Sequence, residues 1–208
     1  ATPNPDFLAP THPGWEGTER VTVLLLGGDS RPDEALVSRP RTDTIMLLMI
    51  DPVNHLGSVL SIPRDLYLDI PGYGLNRVNT AYFYGGPDLA IETIEYNLGI
   101  RVNYYAQIDF NVFVRLVDEI GGITLDVPEA ISDPTYPDQS YGYDPFYIDA
   151  GIQHMDGYTA LRYARTRATP GSDFDRATRQ QAVLFAIRDK VLDPTTFPQI
   201  MQKAPQIY

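Results

Sequence analysis

Short apolar runs that stop at glycine or proline constrain this chain more than any other feature. Residues 21–26 (VTVLLL) run into Gly27-Gly28, residues 44–50 (TIMLLMI) into Asp51-Pro52, and residues 58–62 (SVLSI) into Pro63. Runs this brief, bounded by turn residues and rich in β-formers, describe strands buried in a sheet. Residues 66–70 alternate and read as a short edge strand before Pro71-Gly72, and residues 104–108 and 123–127 read as two further strands. Helical spacing appears between them. Leu89, Ile91, Ile94 and Leu98 mark a helix from Pro87-Asp88 to a stop at Gly99, and residues 110–120 form an amphipathic helix ended by Gly121-Gly122. Asp156 suits the N-cap of a short helix, and a long helix runs over residues 173–192. Residues 128–150, rich in Pro, Asp and Tyr, read as one loop too long to be a mere connector. Strands and helices interleaved in this order predict an α/β fold: a layered α/β/α domain on a central mixed β-sheet.

With 208 residues, of which 43% are hydrophobic, the chain can build one core, expected over residues 21–208. Residues 1–20 hold four prolines and no periodicity and read as a linker or processed stem. The longest aliphatic run, residues 45–50, has six residues, far short of the roughly 20 that span a bilayer. A net charge of −11 excludes a general nucleic-acid binder, whose affinity depends on a basic face. The lack of cysteine removes thiol catalysis, thiolate metal sites and disulfides, and His12, His55 and His154 share no zinc-like spacing. Gly-x-Ser-x-Gly, Walker and Gly-x-Gly-x-x-Gly sequences are absent, which disfavours serine-hydrolase and nucleotide-fold readings.

What remains is arginine, which supplies fourteen of the sixteen basic residues and offers a planar fork for phosphate or carboxylate. Arg31, Arg39 and Arg41 stand near two carboxylates, Asp29 after the first strand and Asp43 at the start of the second, and Arg64 follows the third. Two carboxylates brought together at strand ends repel unless a cation or proton lies between them, and Mg²⁺ takes one or two carboxylates plus phosphate oxygens. The competing reading is an Asx-turn at Asp29 and a loop hydrogen bond at Asp43. On the long helix the apolar stripe of Val183, Ile187 and Val191 projects back through Arg176 and Gln180, with Arg179 beside it. A cation in the first helical turn opposes the helix dipole, so Arg176 and the helix N-terminus either share an anionic ligand or Arg176 pairs with Asp173 or Asp175. Arg165 and Arg167 diverge on a helix but face the same way in an extended segment.

The motifs themselves complete the reading. Leu-Leu-Gly-Gly-Asp29-Ser-Arg31, Arg41-Thr-Asp43-Thr-Ile-Met-Leu, Ser-Ile-Pro-Arg64-Asp65 and Val-Asn79-Thr-Ala-Tyr82 with Gly85-Gly86 occur in this order. Asp118-Glu-Ile-Gly-Gly, Asp156-Gly-Tyr-Thr-Ala-Leu-Arg-Tyr-Ala-Arg165-Thr-Arg167 and Asp173-Phe-Asp-Arg176-Ala-Thr-Arg179-Gln180-Gln181 follow. Over residues 20–192 the chain resembles the LytR–CpsA–Psr family of cell-wall glycopolymer transferases. The resemblance implies transfer of a glycopolymer from an undecaprenyl-pyrophosphate carrier to peptidoglycan through a phosphodiester. It also implies Mg²⁺, or Mn²⁺ in its place, on Asp29 and Asp43, and an apolar cavity for the prenyl chain. Arg64, Arg165, Arg167, Arg176 and Gln180 would grip the pyrophosphate, with Arg31, Arg41 and Arg179 joining the substrate-binding set. Asp29, Asp43, Arg64, Arg165 and Arg167 would be the catalytic residues. Such a protein is anchored in the cell membrane by one N-terminal span, with its soluble catalytic domain outside. A prenyl-pyrophosphate pyrophosphatase and a non-catalytic prenyl-pyrophosphate-binding module are the alternatives. Departures from the family pattern are Met155 where Leu is usual and the long Tyr-rich segment 128–150.

Overall fold

A computed structural model describes residues 19–28, 42–138, 142–171 and 173–194. Gly28 apart, the described residues up to Gln107 form one compact unit and those from Ile108 a second. The first contains β1 (Val21–Gly28), β2 (Thr42–Asp51), β3 (Leu56–Ser61), β4 (Tyr67–Ile70), β5 (Gly74–Arg77), α1 (Asn79–Leu98) and most of β6 (Tyr104–Asp109). The second contains α2 (Phe110–Glu119), β7 (Ile123–Val127), β8 (Ile131–Asp133), β9 (Phe146–Ile148), β10 (Gly151–Met155), α3 (Gly157–Arg165) and α4 (Asp173–Leu192).

The expected α/β organisation is present, with a central four-stranded sheet in the order β3-β2-β1-β6. β2 and β3 pair antiparallel, from Met46 opposite Ser61 to Asp51 opposite Leu56. Read from sequence as a buried strand, β3 is instead largely exposed, because it forms the edge of the sheet. β4 pairs not with the central sheet but with β5, Tyr67 opposite Arg77 and Ile70 opposite Gly74. The sequence gives no sign of β5, whose residues GLNR lack apolar alternation. Helix α1 spans Asn79–Leu98 but consists of two helical pieces, and the second is the helix expected from Pro87. At Gly86 the backbone takes φ 70° and ψ −157°, a conformation open to glycine, and the helix resumes with Pro87. The Gly85-Gly86-Pro87 punctuation therefore marks both a kink and the first turn of the second helical piece. Leu24, Leu26, Ile45 and Leu47 from the sheet bury against Ala81, Tyr82, Leu89, Ala90 and Ile94 of α1.

In the second unit, Asp109 caps α2 by accepting from the Val112 N–H at 2.7 Å, and Asp156 caps α3 by accepting from Thr159 N–H at 2.8 Å. Both caps satisfy first-turn donors that the helix itself leaves unpaired. β10 pairs antiparallel with β7, and β8 with β9, so residues 128–150 are not one loop but carry a short two-stranded sheet. Those strands have three residues each, too few to show a period. A Cβ at Gly157 would lie 2.2 Å from the Val114 carbonyl oxygen, so only glycine lets α3 approach α2 this closely. The core joins Val117, Ile120, Ile123, Val127, Met155, Ala160, Tyr163 and Val183. Among the described residues, no helix is long and apolar enough to cross a membrane.

Candidate functional site

In the first unit, Asp43 is the second residue of β2 and Arg64 lies three residues past β3. Ile62 N–H donates to Ile45 O at 2.9 Å, and Asn79 N–H donates to Arg64 O at 3.2 Å, so the sheet and the start of α1 fix the Arg64 backbone. The Arg64 guanidinium donates to Asp43 Oδ1 and, through Nε at 3.3 Å, to Asp65 Oδ2. Arg77 closes the series by donating to Asp65 Oδ1 at 3.2 Å. Asp43, Arg64, Asp65 and Arg77 thus form a chain of alternating charge. Burial pulls the Arg64 guanidinium down, but its hydrogen bond to Asp43 and the charges of Asp43 and Asp65 outweigh this and hold it above its ordinary value.

Asp29, Arg31, Arg39 and Arg41 lie outside the described residues. The strand that leads to position 29 does end beside the start of β2, since a Cβ on Gly27 would lie 3.0 Å from the Thr44 Cβ. Two buried oxygens in this unit, Thr42 Oγ1 next to Asp43 and Asn79 Oδ1 next to Arg64 in the hydrogen-bond path, have no hydrogen-bond partner. Of the two carboxylates expected to hold Mg²⁺, the described residues include Asp43, whose carboxylate also pairs with Arg64. Among the described residues, no three His, Cys, Asp or Glu side chains gather into a metal cluster, so such an ion would rely on phosphate oxygens or water for its other ligands.

The second unit builds its site around the end of α3. The helix stops at Arg165, and Thr166 follows in an extended conformation, φ −56° and ψ 145°. Arg165 and Arg167 therefore flank a residue that is 1% exposed. Thr166 is locked inward by donating from Oγ1 to Asp133 Oδ2 at 2.6 Å. Arg179 holds the same bend from the other side. Only 6% exposed, it donates from Nε to Tyr163 O at 3.0 Å, from NH1 to Thr169 Oγ1 at 3.1 Å and from NH2 to Thr166 O. Burial pulls its guanidinium below the ordinary value, against the raising influence of Tyr163 and Asp175. The fork that the resemblance assigns to substrate thus donates to the Tyr163 and Thr166 carbonyls and to the Thr169 hydroxyl.

Arg165 lies over the Phe110 ring, 3.9 Å from its centroid, and donates to the Tyr136 hydroxyl at 3.3 Å. Burial pushes the Tyr136 phenol up, with Arg165 and Arg162 pulling against it. Arg162 packs against the Tyr136, Phe146 and Tyr158 rings and donates to Asp144 O at 2.8 Å and to Pro145 O, which fastens the β8–β9 segment to α3. Asp133, Tyr136, Arg162 and Phe110 escaped the sequence reading. For Asp133 and Tyr136 the one signal is the tyrosine-rich composition of residues 128–150, while Phe110 and Arg162 lie in segments read as helices, where nothing marks them out.

Arg176 is buried, as its place on the apolar stripe predicts, and Gln180 is half-buried one turn on. Arg176 pairs with Asp173 at 3.0 Å, while Arg167 reaches the same Asp173 oxygen through Nε at 3.3 Å. Of the two partners open to Arg176, the structure selects Asp173. Asp175 instead accepts from the Gly171 N–H at 2.9 Å, and its bonds to Thr169 and Gly171 hold its carboxyl below the usual range. Arg167, Arg176 and Asp173 form one cluster, with Arg165 two residues from it along the chain.

A protein-family model described as the LytR_cpsA_psr family matches residues 5–207. Regulatory protein MsrR of Staphylococcus aureus is 34% identical over 185 residues, covering 89% of this chain and 53% of that protein. Polyisoprenyl-teichoic acid–peptidoglycan teichoic acid transferase TagU of Bacillus cereus is 34% identical over 175 residues, covering 83% and 53%. The chain thus spans about half the length of these curated relatives. Among solved structures, the LytR-CPS2A-psr family protein YwtF (TagT) with bound octaprenyl pyrophosphate lipid superposes with a TM-score of 0.65. It is 30% identical, and the match covers 92% of this chain and 74% of that one.

Proposed function

The chain belongs to the LytR–CpsA–Psr family, and from that premise we propose that it transfers a cell-wall glycopolymer from a polyprenyl-pyrophosphate carrier to peptidoglycan. The observation that carries this reading is the arginine array of the second unit. A helix is stopped at Arg165, its exit is locked by Thr166 and Arg179, and Arg167 is brought onto the Asp173 oxygen that Arg176 also uses. That investment suits a ligand with several phosphate oxygens, for which bidentate guanidinium groups are the strongest side-chain donors. The name of TagU, which cites a polyisoprenyl-linked teichoic acid and peptidoglycan, and the octaprenyl pyrophosphate held by TagT support the same substrate class.

In the proposed reaction a sugar hydroxyl oxygen of peptidoglycan attacks the phosphorus that carries the glycopolymer. A new P–O bond forms, the bond to the prenyl phosphate breaks, and prenyl phosphate leaves with the bridging oxygen while the hydroxyl proton passes to solvent. Arg64, Arg165, Arg167, Arg176 and Gln180 orient the phosphates and offset charge that develops on their oxygens. Asp43, with Asp29, would hold Mg²⁺ or Mn²⁺, which supplies further neutralisation of phosphate charge. In this reading an apolar cavity takes the prenyl chain, and the reaction takes place on the outer face of the membrane.

The test is incubation of the chain with a labelled lipid-linked glycopolymer, with and without peptidoglycan. Label joined covalently to peptidoglycan, with Arg165→Lys slowed by roughly 30-fold or more, is the expected result. Release of label at the same rate without acceptor would instead make the protein a pyrophosphatase.

A further inference from the structure

We propose that Asp173 is a positioning residue for the pyrophosphate grip, an internal counter-ion that keeps Arg167 and Arg176 side by side. This rests on the transferase reading above. The observation is one carboxylate oxygen: Asp173 Oδ1 forms ion pairs with two arginines, 3.3 Å from Arg167 Nε and 3.0 Å from Arg176 NH2. The two arginines belong to different elements, one to the extended segment after α3 and the other to the first turn of α4.

Without a carboxylate between them, two guanidinium groups repel. Arg176 also stands at the positive end of the helix dipole, with a side chain only 10% exposed, so water screens its charge poorly. Asp173 sits at that same helix end, where the dipole favours an anion, and its oxygen ties both heads to one point. Arg167 is engaged through Nε, the inner nitrogen of its fork, which leaves its terminal nitrogens to a phosphate. The carboxylate also repels an incoming anion. That repulsion is weak, because the Asp173 side chain is 51% exposed and that of Arg167 41%. Ordering two long side chains from a splayed state is the larger cost, so the net effect of Asp173 is to strengthen anion binding.

The experiment is calorimetric titration of inorganic pyrophosphate, with Mg²⁺ present, into the 208-residue chain and its variants. Asp173→Ala is expected to weaken binding by roughly tenfold, the scale of coupling between groups in one network. Asp173→Asn keeps an acceptor oxygen but removes the charge, so it is expected to weaken binding nearly as much as Asp173→Ala. Asp173→Ser, too short to reach both arginines, matches the alanine variant and replaces it if that variant folds poorly. In an Arg167→Ala background, Asp173→Ala adds little, because its effect acts through Arg167. A merely structural role would give additive losses in the double variant together with a lowered melting temperature. Binding by Asp173→Ala as tight as or tighter than that of the unsubstituted chain, or a fully additive double variant, overturns the proposal. If the unsubstituted chain takes up no pyrophosphate, the transferase reading itself has failed and Asp173 loses its role with it.

Discussion

Both units pair arginines with carboxylates, but only the second also fixes an arginine-bearing bend by buried hydrogen bonds. In the first, Arg64 and Arg77 alternate with Asp43 and Asp65 in a chain of ion pairs whose side chains are 25–54% exposed. In the second, the bend that carries Arg165 and Arg167 is fixed by buried hydrogen bonds from Arg179 and from Thr166. Exposed ion pairs are screened and cheap to rearrange, so the first arrangement can exchange a carboxylate partner for a cation or a phosphate. Buried hydrogen bonds that satisfy otherwise orphaned carbonyls cannot be given up without penalty, so the second imposes a geometry. The difference assigns two tasks to one residue type: an adaptable cluster beside Asp43 and a preset fork at the end of α3.

Removing Arg179 should have the largest effect. Arg179→Ala strips the donors from Tyr163 O and Thr166 O, and buried unpaired acceptors cost about 1–3 kcal/mol each, so a loss of about 3–5 kcal/mol is expected in denaturant unfolding. A loss below about 1 kcal/mol would erase the distinction between the two units.

Thr166→Val probes the bend with a change of almost equal volume. The buried Asp133 carboxylate would lose its 2.6 Å donor, and about 2–3 kcal/mol should go with it. Glycopolymer transfer should fall in the same variant even where it is fully folded, because Arg165 and Arg167 flank the released residue. A folded Thr166→Val protein with unchanged transfer would show that the bend is rigid without being functional.

Arg77→Ala should matter least. Its bond to Asp65 is an exposed ion pair, worth about 0.5 kcal/mol or less in stability, and 1 M salt, with a Debye length near 3 Å, should abolish even that. Comparing unfolding of Arg77→Ala and Arg179→Ala at low and high salt sharpens the contrast: only the first difference should vanish.

Much of this was legible in the sequence, for local reasons. The bounds of α4 follow from an apolar stripe and acidic first-turn residues, that of α3 from Asp156, and the end of α1 from Gly99, whose φ of 65° is the left-handed stop that glycine permits. The burial of Arg176 followed from its place on the stripe of Val183. The rest depended on partners distant in sequence. β5, β8 and β9 are short, and their strand character comes from the neighbour they pair with, not from their own pattern. Asp133 meets Thr166 across 33 residues, and no spacing rule reaches that far.

By itself, the sequence determined the strands of the central sheet, the placement of most helices and the set of arginines and carboxylates that mark the family. These are properties of windows a few residues wide, where periodicity and capping act. Only the tertiary structure decided how those charges are used. Arg176 and Arg179 lie three residues apart on one helix and are almost equally buried, yet Arg176 reaches the Asp173 carboxylate and Arg179 the carbonyls of Tyr163 and Thr166. A guanidinium takes whichever acceptor the packing brings within hydrogen-bond distance, and that choice is made by side chains from other elements meeting in space.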